Sequence, residues 1–76
     1  MKLTENQVKL MMEEMVADLV EIIIQQWNCT LTEAMAMLYN SDTFRLLQDA
    51  NTGLYYQSPG YVYSCLDNEL RTGRVQ

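Results

Sequence analysis

The stretch 4-TENQVKLMMEEMVADLVEIIIQQW-27 decides the fold. It opens on Thr4-Glu5-Asn6-Gln7, a Thr-x-x-Gln capping box in which two side chains satisfy orphan amides at a helix start. Neither glycine nor proline interrupts it before Trp27, so the reading is a single helix of about 35 Å. A compact domain of this size has a diameter of roughly 30 Å. The helix is as long as the domain is wide.

Projected at about 100° per residue, Glu14, Asp18, Glu21 and Gln25 form one narrow polar strip. Val8, Met12, Met15, Leu19 and Ile23 make an apolar stripe, which Val16, Val20, Ile24 and Trp27 widen on one side and Met11 and Ile22 on the other. That face is wider than the rest of the chain is expected to cover. A soluble monomer rarely exposes so large a patch. The expectation is a helix that packs its own domain on one side and a second copy on the other, with Met12, Val16, Leu19, Val20, Ile23, Ile24 and Trp27 as oligomer-interface candidates. The competing reading is a central helix wrapped by the rest of its own fold.

Outward from this helix the signals remain helical. Thr30-Leu31-Thr32-Glu33 repeats the capping box, and Leu31, Ala34, Met35 and Leu38 recur at helical spacing, predicting a second helix that ends near Asn40. Ser41 or Asn40 caps a short third helix, with Asp42 at its positive end and Phe44, Leu46 and Leu47 on its buried side. Residues 49–53 carry turn chemistry, and 54–57 read as extended. Ser58-Pro59 then starts a last helix, serine as cap and proline at the first helical position, with Gly73 as its stop. The fold class is all-α: a long amino-terminal helix packed by two short helices and a carboxy-terminal helix, with a short extended turn segment near 50–57. Residues 1–76 form one domain, ordered over about 4–72.

The 76-residue composition excludes more chemistry than it offers. There is no histidine, which removes the commonest general base and the commonest neutral metal ligand. Two cysteines, Cys29 and Cys65, are too few for a structural zinc site, and no export signal precedes them; the expectation is a reducing cytoplasm and two core thiols. The glycines at 53, 60 and 73 match neither a dinucleotide fingerprint nor a phosphate loop. No catalytic, cofactor or metal residue is assigned, and the Glu14, Asp18, Glu21 face reads as a solvated strip rather than a carboxylate metal cluster. Ten acidic against five basic residues give a net charge of −5, which disfavours nucleic acid and anionic membranes. The longest apolar run, Ile22-Ile23-Ile24, is far short of a membrane span of about 20 residues.

Two segments carry a resemblance: 33-EAMAMLYNSDTFRLL-47 and 49-DANTGLYYQSPGYVYSCL-66. Together they resemble a group of short uncharacterised bacterial proteins of gut anaerobes with a "TGLYxQSPxYVY" motif. More distantly the chain is similar to a domain-of-unknown-function family encoded beside ADP-ribosyltransferase-like toxins. The resemblance covers roughly residues 10–70 and implies no catalytic residues; the gene neighbourhood of the distant family points to a neighbouring gene product as a partner to bind or regulate.

Three functions compete at this point. The first is a non-enzymatic interaction module, a homodimer through the amino-terminal helix with a further protein partner. The second is a DNA-associated regulator with residues 30–48 as a helix-turn-helix, 46–57 as a wing, and Ser41-Asp42-Thr43-Phe44-Arg45 as the recognition segment. The third is a small-ligand binder lined by Tyr55, Tyr56 and Tyr61. In the extended reading, adjacent side chains point opposite ways, so one of Tyr55 and Tyr56 plugs the core and the other, Tyr56, is left for a partner.

Overall fold

A computed structural model describes residues 3–73. Lys2, Arg74 and the end of the polar tail expected after Thr72 lie outside the described residues. Four helices follow in order: α1 (Glu5–Trp27), α2 (Leu31–Tyr39), α3 (Asp42–Gln48) and α4 (Pro59–Thr72). The molecule measures 38 × 24 × 18 Å, so α1 runs nearly its whole length.

Local chemistry sets the boundaries. At α1 the Gln7 amide donates to Thr4 Oγ1 at 3.1 Å and the Thr4 amide donates to Gln7 Oε1 at 2.8 Å. At α2 the Glu33 amide donates to Thr30 Oγ1 at 3.1 Å and the Thr30 amide to Glu33 Oε1 at 2.9 Å. The backbone bond from Thr30, helped by the Thr30 hydroxyl, holds the Glu33 carboxyl below its ordinary range. Ser41, rather than Asn40, caps α3 by accepting from the Phe44 amide at 3.0 Å, and Ser58 caps α4 through the Tyr61 amide at 3.2 Å.

Asn28 ends α1 in the left-handed region at φ 51°, a conformation glycine adopts without a Cβ penalty. Asn28→Gly is therefore expected to stabilise the fold by about 0.5 kcal/mol, the glycine's greater unfolded-state entropy offsetting part of the relief. A melting temperature that falls would show that the Asn28 side chain contributes more than its backbone strain costs.

The core joins Met15, Leu19, Val20 and Ile23 of α1 to Ala34 and Leu38 of α2, Leu47 of α3, Tyr55, and Val62 and Leu66 of α4. This corrects the expectation for three of the interface candidates. Leu19 and Ile23 are 0 % exposed and Val20 is 9 % exposed, covered by the chain's own α2, α4 and the turn before α4. The wrapped central helix is the better description of that part of α1, because two helices and a turn of its own chain pack against it. Met12, Val16 and Ile24 are half-buried, and Trp27 is 37 % exposed.

The turn chemistry at 49–53 forms a short 3-10 turn, Ala50–Thr52, whereas Leu54–Tyr56, expected to be extended, is a second 3-10 turn. Asp49 Oδ1 accepts from the Asn51 amide at 2.9 Å, and the Thr52 hydroxyl lies 2.6 Å from the Leu46 carbonyl oxygen and 2.9 Å from that of Asp49. These side chains satisfy backbone groups that would otherwise need a neighbouring strand. Gly53, at φ 70°, links the two turns in a conformation that L side chains rarely adopt.

Candidate functional site

Three surface features gather the residues singled out by the sequence. The first is a groove of about 280 Å³ between α1 and the α2–α3 corner. Half-buried Met12 and Val16 line it from α1; Tyr39 and Phe44 face them, packed edge to face with ring centroids 4.9 Å apart. Exposed Lys9 and Glu13, one helical turn apart, flank the apolar part together with Gln48. Of the oligomer-interface candidates, only Met12 and Val16 line this groove.

The second feature closes the far end of α1 onto α4. Trp27 Nε1 donates to Tyr63 Oη at 3.0 Å, and Tyr63 Oη donates to Asp67 Oδ1 at 3.4 Å. Arg71 Nε lies 2.9 Å and 3.0 Å from the two Asp67 carboxylate oxygens, while its guanidinium sits 5.3 Å from the centre of the Trp27 ring. Burial raises the Tyr63 hydroxyl above its ordinary range; the bond from Trp27 works against this, and the nearby Asp67 charge adds to it. The bond that Arg71 donates to Asp67, and the Asp67 charge, raise the Arg71 guanidinium above its already high ordinary value. Trp27 is thus held by its own chain, which sets it apart from the open groove residues.

The third feature is a hollow of about 210 Å³ where α1 meets the second 3-10 turn, lined by Met11, Glu14, Met15, Asp18, Tyr55, Tyr56, Gln57 and Pro59. Tyr55 is buried, so instead of the exposed partner surface expected of it, it offers only its part of the hollow's lining, and Tyr56 is 61 % exposed. Their rings stack with centroids 4.5 Å apart and planes 26° from parallel. An extended chain would have sent them to opposite faces; the 3-10 turn brings them together. Tyr61, 53 % exposed in the first turn of α4, lines none of the three features and joins no tyrosine cluster.

Sequence reasoning gave no functional role to Glu69, nor to Lys9, Glu13, Tyr39 and Gln48 of the groove. Glu69 of α4 reaches back to α3, its carboxylate accepting from the Asp42 amide at 2.7 Å, the Thr43 amide at 2.9 Å and the Thr43 hydroxyl at 2.8 Å. The start of α3 was the recognition segment of the helix-turn-helix reading. Two carboxylates stand there instead of a cationic face, since Asp42 belongs to the same turn and is ion-paired with Arg45. The wing at 46–57 consists of the end of α3 and the two 3-10 turns, with no strand among the described residues.

Cys29 and Cys65 are free thiols, both half-buried, and Cys29 Sγ lies 3.9 Å from the Ile23 carbonyl oxygen. Among the described residues no group of histidine, cysteine or carboxylate side chains is placed to hold a metal ion, and no helix is long and apolar enough to cross a membrane. No family model, curated protein or solved structure matches the chain.

Proposed function

We propose that this chain is a non-enzymatic interaction module that pairs with a second copy of itself through the α1/α2–α3 groove. The observation that carries the reading is the self-complementary make-up of that groove. Its apolar centre, Met12, Val16, Tyr39 and Phe44, is flanked on one helix by a cation and an anion four residues apart, Lys9 and Glu13. Across a two-fold axis, antiparallel α1 helices bring Lys9 of one copy to Glu13 of the other, twice, around a shared apolar centre. The same patch meets itself, so no second surface is required. The gene neighbourhood of the distantly similar family supplies the role proposed for the dimer, to bind or regulate the product of a neighbouring gene. The two free thiols suit a reducing cytoplasm as the place of action.

Sedimentation velocity over a range of concentrations tests this directly. The wild-type chain is expected to move from monomer to dimer as concentration rises. Lys9→Glu and Glu13→Lys, each alone, place like charges across the axis and are expected to weaken the dimer about fivefold or more. The double exchange restores opposite signs and is expected to recover most of the loss. A monomer at every concentration sinks the proposal, as does a double exchange no better than the worse single one.

A further inference from the structure

We infer that the hollow between α1 and the second 3-10 turn is a docking site for an arginine side chain presented by a partner protein. Its lining combines two stacked rings, Tyr55 and Tyr56, with two carboxylates one helical turn apart, Glu14 and Asp18. Both carboxylates are exposed, and among the described residues neither makes an ion pair or a hydrogen bond to a side chain. A guanidinium is the group that meets both halves of this lining, since it lies flat on an aromatic face and donates in a fork to carboxylate oxygens.

The protein itself displays the same chemistry in occupied form at the carboxy-terminal end of α1. There the Arg71 guanidinium sits 5.3 Å from the Trp27 ring centre while its Nε binds Asp67 at 2.9 Å. Ring, carboxylate and guanidinium are supplied there by one chain. Beside Tyr55 and Tyr56 the chain supplies the rings and two carboxylates, and the guanidinium comes from the partner.

Size and charge narrow the occupant. The hollow, at about 210 Å³, is smaller than the roughly 300–1,000 Å³ of sites that enclose drug-sized ligands, and suits one side chain. Buried Met15 and Tyr55 give it an apolar base for the arginine methylenes, while Glu14, Asp18 and Tyr56 are exposed at its edge for the charged end. The net charge of −5 favours approach by a basic segment and disfavours an acidic one. This site is distinct from the self-association groove: Asp18 and Val16 project about 160° apart around α1. Either surface can therefore fail its test without affecting the other.

The test is an amide chemical-shift titration of the full chain with a capped Gly-Arg-Gly peptide, run beside otherwise identical peptides carrying citrulline or lysine. The arginine peptide is expected to shift amides near residues 14–18 and 54–59 and few others. The lysine peptide is expected to bind more weakly, and the neutral citrulline peptide more weakly still. Glu14→Gln with Asp18→Asn is expected to reduce arginine-peptide affinity about tenfold, two exposed charge contacts acting together. Both are exposed surface positions, and an unchanged circular-dichroism spectrum confirms that the variant folds. Equal binding of the citrulline and arginine peptides overturns the inference, as do shifts centred elsewhere, no shifts at all, or undiminished affinity in the folded double variant.

Discussion

Leu19→Ala is expected to destabilise the protein by about 3–4 kcal/mol, within the range found when a fully buried leucine is truncated and its cavity only partly collapses. Leu19 is 0 % exposed, in a core to which every α-helix contributes. A domain this small has a total stability of roughly 4–11 kcal/mol, so the change removes a large share of it. Urea unfolding followed by circular dichroism measures the effect. The same experiment separates two placements of Leu19. If it is core, the loss is the same at low and high protein concentration; if it faced a second copy, the variant would be a well-folded monomer and the loss would depend on concentration. A loss below about 1 kcal/mol would contradict a packed interior at this site.

Glu69→Ala is expected to cost about 2–4 kcal/mol, although the side chain is only half-buried. Its carboxylate accepts three hydrogen bonds at the start of α3, two of them from the fully buried Thr43. Alanine leaves those donors without their acceptor, and hydrogen bonds to charged groups are stronger than neutral ones. The carboxylate also lies at the positive end of the α3 dipole, an interaction that alanine removes. Glu69→Gln keeps one acceptor oxygen but turns an amide N–H₂ toward a donor, so it should recover only part of the loss. Hydrogen exchange gives the local readout: amides of α3 are expected to lose protection before those of α1. Uniform protection across both helices in a folded Glu69→Ala variant would rule out the cap as the anchor of α3.

The two expectations differ in how far the sequence displayed them. The α-helix starts were legible, with the cap of α3 left between Asn40 and Ser41, because Thr4, Thr30, Ser41 and Ser58 act on amides three residues away, and such chemistry is written in contiguous residues. Glu69 was not legible, since its partners lie 26 and 27 positions earlier and a glutamate inside a helix carries no local mark of being a cap. Residues 54–56 were misread because short aromatic segments suit either an extended chain or a tight turn. What decided between them was the backbone bonding of the Asp49 and Thr52 side chains with Gly53 in the left-handed region. Leu19, Val20 and Ile23, assigned from the apolar face of α1 to a second copy, are buried within the chain's own fold. Periodicity reports how much of a helix avoids water, without reporting what covers it. For the same reason Leu19, Val20 and Ile23 went to the interior, while Met12 and Val16 stayed at a groove.

The Trp27 arrangement gives the molecule a built-in optical gauge. Trp27 is the only tryptophan, at the last residue of α1, and both its indole N–H and its ring face are engaged by α4 through Tyr63 and Arg71. Its fluorescence therefore reports the docking of one helix end on one partner helix, whereas circular dichroism sums over all four. Where the two signals coincide during unfolding, α4 leaves together with the rest. Where fluorescence changes first, the carboxy-terminal helix is a separable latch, and its release also withdraws Glu69 from the start of α3. A single indole thus distinguishes one cooperative unit from a fold that opens from its end.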